Sequence, residues 1–174
     1  TASPIGDTLP ILLSLNAEII IQNKNKKINI PIKKFFTGYR KTKLKKGEFI
    51  YSIKIPIYKK NILKAYKISK RFDDDISSIC GSFNLEIINK KIKKIMIAYG
   101  GMAEIPKRAI NCEKMLNNKA LTLVNFENAT KYIEKDFKPI DDMRATKDYR
   151  IEVAKNLLLK CFLEIKSNKL IRIN

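Results

Sequence analysis

The period of the apolar positions changes twice along the chain. A short helix is predicted first: Asp7 stands at an N-cap position, Pro10 falls within the first turn, and an apolar run continues to Leu15. Alternation then takes over. Glu18–Gln22 and Lys27–Ile32 read as strands joined by the polar turn "NKNKK", with Ile28, Ile30 and Ile32 sharing one face. "FFTGYRKT" breaks the pattern and reads as an irregular aromatic loop. In "EFIYSIKIPIY" the residues Phe49, Tyr51, Ile53, Ile55 and Ile57 share a face, and Pro56 marks a strand end or an edge position. A boundary is placed near 58–61.

Three further strands at hairpin spacing follow, Lys64–Ser69, Ser78–Ile88 and Lys91–Tyr99, the last two joined tightly through Asn89-Lys90. The pattern then changes to helices. One opens at Pro106 with Ile105, Ala109, Cys112 and Leu116 along one side, and a weaker one covers about Glu127–Asp136. A third is capped by Asp148, with Val153, Leu157 and Cys161 alternating with Ala154, Leu158 and Phe162. Strands followed by a run of helices make an α+β chain. No internal repeat is visible.

Composition narrows the chemistry. At 174 residues, 45% hydrophobic and 30% charged, the chain has the make-up of a globular protein and no apolar stretch of membrane-spanning length. The net charge of +19 points toward nucleic acid. Its distribution points away: the basic residues are overwhelmingly Lys at turns and strand ends, aromatics are not interleaved with them, and no nucleic-acid-binding motif is present. Lys accompanied by excess Ile and Asn also matches what an A+T-rich coding sequence places on tolerant surfaces. With no His and three widely spaced thiols (Cys80, Cys112, Cys161), neither a Cys/His metal site nor histidine acid–base catalysis is available. Three buried thiols fit a reducing cytoplasm. No catalytic side chain is assigned, and any redox chemistry rests on a borrowed cofactor.

Six short stretches stand out: "ASPIGD", "FFTGYRKT", "GEFIYSIKIP", "YKISKRFDDDIS", "YGGMAEIPKRA" and "DDMRATKDYR". Each alone is a turn, cap or strand end. In this order and spacing they resemble the molybdenum hydroxylase flavoproteins, specifically the FAD-binding portion of bacterial xanthine dehydrogenase small subunits, from Thr1 to about Glu164. Carbon-monoxide dehydrogenase and aldehyde oxidoreductase flavoproteins share the general plan, and "GYRKT" and "KRFDDDIS" favour the xanthine branch.

The resemblance implies the second half of a FAD-binding domain over 1–58, a C-terminal flavoprotein domain over 59–166 and a tail over 167–174. The second domain is expected as a three-stranded antiparallel sheet carrying a three-helix bundle. A Gly-rich pyrophosphate loop and an iron–sulfur domain are expected before Thr1, and a molybdenum-cofactor-binding large subunit as partner. Electrons would pass from iron–sulfur clusters through FAD to NAD⁺ during oxidation of hypoxanthine or xanthine on that subunit; a flavoprotein for aldehydes, CO or aromatic thioesters is the alternative, and a basic nucleic-acid-binding module the one from another class. The cofactor-binding residues implied are Thr1, Asp7, Ile50, Lys67 and Asp74. In that reading Lys67 is a flavin-contacting lysine, Asp7 accepts hydrogen bonds from the cofactor, Ile50 lies against it, and Asp74 sits on a mobile loop near the exposed ring. Asp73 and Asp75 are read as solvated or capping, and Tyr39 and Arg40 as tying a loop to the sheet. Gly100-Gly101 is read as a turn with unusual backbone angles, and Arg144 and Arg150 as facing a neighbouring domain or an internal carboxylate. Phe72 stands where some eukaryotic relatives carry an Arg that controls the loop, so NAD against oxygen as acceptor stays open.

Overall fold

A computed structural model describes residues 2–71 and 75–171. Helix α1 (Thr8–Ser14) leads into β1 (Glu18–Asn23) and β2 (Lys26–Pro31), and a single 3₁₀ turn (Ile32–Lys34) follows. A small hairpin of β3 (Phe36–Gly38) and β4 (Lys41–Thr42) precedes β5 (Phe49–Lys54). Strands β6 (Asn61–Ile68), β7 (Ile79–Ile88), β8 (Lys91–Gly100) and β9 (Lys107–Arg108) come next. Helices α2 (Ile110–Leu116), α3 (Leu123–Thr130), α4 (Ile133–Asp136) and α5 (Lys147–Ser167) complete the order. The strands form an antiparallel sheet β2-β1-β5, the β3-β4 pair, and an antiparallel sheet β6-β7-β8-β9.

Several expectations shift in detail. "FFTGYRKT" is not irregular: Phe36 pairs with Thr42 and Gly38 with Lys41, and Phe35 and Phe36 are buried edge to edge. Tyr39 and Arg40 do not tie it to a sheet. They occupy the hairpin tip, where Arg40 has φ 54 and stacks over the exposed Tyr39 ring. The strand after it stops at Lys54, short of Pro56, and the row Phe49, Tyr51, Ile53, Ile55, Ile57 is exposed. Pro106 does not open a helix, because Lys107–Arg108 pairs with Ala98 and Tyr99 as the fourth strand of the sheet. The middle helix is two pieces separated at 131–132. Thr146, not Asp148, caps α5: its side chain accepts the Tyr149 N–H.

The large sheet is covered on both faces. Ile79, Phe83, Leu85, Ile95, Ile97 and Tyr99 belong to the core formed with α2–α5, which also takes in Cys112, Cys161 and Phe162. Successive strand residues point to opposite faces, so the intervening Cys80, Ser82, Asn84, Ala98 and Gly100 form the other face, and α1 packs there. Small residues permit that approach: a Cβ on Gly100 would lie 3.1 Å from the Pro10 ring. Polar groups on this face are satisfied by α1 itself. Ser14 and Ser82 hydroxyls are 2.7 Å apart, and Asn84 donates to the Ser14 carbonyl at 3.0 Å. These bonds join the first 58 residues to the rest.

Helix α2 lacks a local cap, since its N-cap residue is Ala109. A distant carboxylate takes over. Asp136, at the end of α4 and 5% exposed, accepts the N–H groups of Asn111 and Cys112 at 3.0 and 2.9 Å. Asp136→Ala therefore strands two donors at a helix N-terminus and is expected to lower stability by about 2 kcal/mol. Urea unfolding checks this; a loss below half that value would mean water replaces the carboxylate.

Candidate functional site

Asp7 occupies the N-cap position of α1, but its side chain makes no capping bond. It turns to the large sheet instead. One carboxylate oxygen accepts the Ser77 hydroxyl, and the other lies 3.0 Å from the Lys67 ammonium. Ser77 is buried just before β7, and Lys67 lies near the end of β6 opposite Cys80. The lysine and aspartate side chains stay 36% and 39% exposed. A pair this open contributes under about 1 kcal/mol to stability, so its geometry matters more for what it presents than for holding the fold. An ammonium has three donors, and the bond to Asp7 uses one.

Cys80 lines the base of this corner. Its thiol donates weakly to the Asp7 carbonyl at 3.5 Å. Burial, reinforced by the nearby Asp7 charge and only partly offset by Lys67, pushes the thiol pKa up to about 12. At neutral pH it is a protonated, inert neighbour. Burial likewise raises the Cys112 and Cys161 thiols.

The turn after β8 closes the corner from the other side. Gly101 has φ +81, and its N–H donates to the Pro4 carbonyl at 2.9 Å. Gly100 needs no such angle: it pairs with Cys80 as the last residue of β8. Arg150, 2% exposed, meets an internal carboxylate, Asp142, at 2.7 Å. Arg144 contributes its carbonyl to the Ser78 hydroxyl at 3.2 Å.

Of the five candidate residues, the structure brings Asp7 and Lys67 together. Ile50, in β5 of the three-stranded sheet, stands opposite Ile21 of β1 and is 40% exposed, beside the exposed Phe49 and Tyr51. Thr1 and Asp74 lie outside the described residues, as do Phe72 and Asp73. Asp75 accepts the N–H groups of Arg71 and Ile76, at 3.1 and 2.8 Å, and pairs with the Arg71 side chain at 3.5 Å. Ser77 was not singled out in the sequence, and Cys80 was named only as one of three thiols, not as part of a site. The only available signal was their place just after the acidic run. Among the described residues no three His, Cys, Asp or Glu side chains gather as a metal site, and no helix is long and apolar enough to cross a membrane.

Residues 64–165 match the CO dehydrogenase flavoprotein C-terminal domain, and residues 1–58 match the FAD binding domain in molybdopterin dehydrogenase. Xanthine dehydrogenase of Emericella nidulans is 34% identical over 79% of this chain and 10% of its own length. The glyceraldehyde dehydrogenase medium chain of Sulfolobus acidocaldarius is 29% identical over 94% of this chain and 58% of its own. The chain thus spans a small to moderate part of these relatives. Among solved structures, a chain of carbon monoxide dehydrogenase from Hydrogenophaga pseudoflava superposes with a TM-score of 0.86 at 21% identity, covering 91% of this chain and 55% of that one. Quinoline 2-oxidoreductase from Pseudomonas putida 86 gives 0.85 at 19% identity, covering 98% and 59%. At these identities the structures establish a shared fold.

Proposed function

The chain belongs to the FAD-binding flavoproteins of the molybdopterin dehydrogenase family, and on that premise we propose that it carries the FAD-facing wall of a xanthine dehydrogenase. Electrons arrive from iron–sulfur clusters, and the hydroxylation of hypoxanthine or xanthine occurs at a molybdenum cofactor on a partner subunit. NAD⁺ is the final acceptor. The likeness to the Emericella nidulans xanthine dehydrogenase supports the substrate class. The likeness to the glyceraldehyde dehydrogenase medium chain supports the alternative, a flavoprotein of another molybdenum hydroxylase. We assign 1–58 to the FAD-binding domain, 59–166 to the C-terminal flavoprotein domain and 167–174 to a tail. Three protonated, buried thiols fit a cytoplasmic setting.

The observation that carries this reading is the Asp7–Lys67 pair, fixed by Ser77 yet open to a ligand. These residues fit FAD. The cofactor supplies the hydride and electron chemistry, while the protein tunes it through nearby charge and hydrogen bonds. Lys67 provides a fixed positive charge for a ring that gains electron density on reduction. Asp7 orients that ammonium and offers an acceptor. Ile50 is assigned an apolar contact with the cofactor, and Thr1 and Asp74, implied by the family resemblance, complete the proposed cofactor-binding set. The neutral Cys80 thiol adds no competing charge.

Lys67→Ala in the FAD-loaded protein is expected to weaken reduced FAD relative to oxidised FAD about tenfold, a midpoint lowered by ~30 mV for a two-electron couple. Redox titration measures this. Unchanged FAD occupancy together with an unchanged midpoint would remove Lys67 from the site.

A further inference from the structure

Arg150 belongs to α5, yet its guanidinium works at the end of the large sheet nearest Asp7. One terminal nitrogen donates to two backbone carbonyls, those of Ser78 and, at 2.8 Å, Gly101. The other pairs with Asp142 at 2.7 Å. Burial works against ionisation of Asp142, but the Arg144 and Ala145 N–H groups and the Arg150 guanidinium hold its carboxyl below the usual range.

The two carbonyls belong to the segments that grip the Asp7 corner. Next to Ser78, Ser77 donates its hydroxyl to Asp7. The N–H of Gly101 donates to Pro4, in the turn that delivers Asp7. Strands β7 and β8 are already paired up to Cys80 and Gly100, so the sheet does not require the clamp. The backbone it fixes is the irregular part beyond the last pair. Burying a guanidinium costs desolvation energy, a cost out of proportion to one more tie between paired strands.

We propose that Arg150, seated by Asp142, is a positioning residue for the Asp7–Lys67 pair. It fixes Ser78 and Gly101, through them Ser77 and Pro4, and so the carboxylate that orients the Lys67 ammonium. The inference rests on the reading that Lys67 faces FAD.

Two variants test it in the FAD-loaded protein. Arg150→Lys keeps the charge but cannot reach two carbonyls and a carboxylate together; Asp142→Asn leaves the guanidinium and weakens its seat at a part-exposed position, which protects folding. One readout is the ratio of affinities for reduced and oxidised FAD, taken from the midpoint potential. The other is labelling of Cys80 by a thiol reagent, with Cys112 and Cys161 as reporters of general unfolding. Arg150→Lys is expected to lower the ratio about fivefold and to speed Cys80 labelling about tenfold, with the other two thiols unchanged. Asp142→Asn moves both in the same direction by less. Three thiols rising together, or an unchanged ratio where Lys67→Ala shifts it, overturns the positioning role alone. If Lys67→Ala shifts nothing either, the reading of the site falls and takes this inference with it.

Discussion

Glu113→Ala is expected to lower stability by about 3–5 kcal/mol, the cost of removing one partner from a buried, hydrogen-bonded ion pair. Glu113 is 4% exposed and serves three donors. Arg108 reaches it through Nε at 2.8 Å and Nη2 at 2.6 Å, and the Ile97 N–H reaches it at 2.8 Å. The last contact explains the position. Strand β9 pairs only with Ala98 and Tyr99 of β8, and the segment after α2 pairs with Lys91 and Ile92 at the far end, so the stretch of edge between them is left to side chains. Glu113 satisfies Ile97 there, and the Asn117 side chain satisfies Ile95 at 2.9 Å. An edge capped in this way offers no template for another strand. Arg108 also donates to Asn16 at 3.1 Å, tying this cluster to the end of α1. Alanine leaves a guanidinium with little solvent and a buried N–H with no acceptor. Glu113→Gln retains an acceptor and should cost less than half as much. Urea unfolding of both variants checks the ranking, and equal losses would show that the negative charge facing Arg108, not the retained acceptor or volume, is what matters.

Gly101→Ala is expected to cost about 3 kcal/mol or more. At φ +81 an L side chain is strained, by about 1–2 kcal/mol. The added Cβ would also press into the Ser78 carbonyl and stand 2.8 Å from the Arg150 guanidinium. Neither neighbour can yield cheaply, since one is backbone and the other is the clamp over it. For a chain of this size the melting point should fall by about 10 °C. Because Gly101 holds both Arg150 and Pro4, FAD retention should fall even at temperatures where the variant is folded. A melting point within about 2 °C of the parent would mean that the turn can re-form around alanine.

The strands of the large sheet were legible because their alternation is local and strong, and the hairpin through Asn89-Lys90 sets their register. Both turn residues adopt positive φ, at 50 and 59. Helix ends were less legible. Thr146 and Asp148 are both plausible caps in sequence, and only backbone geometry chose Thr146. Pro106 looks like a first-turn proline, but its neighbours had an open edge of β8 to pair with, and pairing won. Asp136 as the cap of α2 lies beyond local reading, for the helix it serves comes before it in the chain.

The motif series marked Asp7 and Lys67 by family resemblance, and local pattern placed one at a helix start and the other on a strand. Their union at 3.0 Å was decided by tertiary structure. Cys80, Ser82 and Asn84 carry the polar side of an alternating strand, a pattern equally consistent with a solvated face. The sheet is covered there because Ser14 and its carbonyl answer those polar groups, and Gly100 leaves room for Pro10. Once α1 lies on that face, the Asp7 carboxylate reaches Ser77 and Lys67, and a local capping position becomes part of the candidate site. Sequence determined the periods and the residue types, because those depend on neighbours a few positions away. Packing alone decided which faces meet, because that depends on shape and hydrogen-bond satisfaction between segments far apart in the chain.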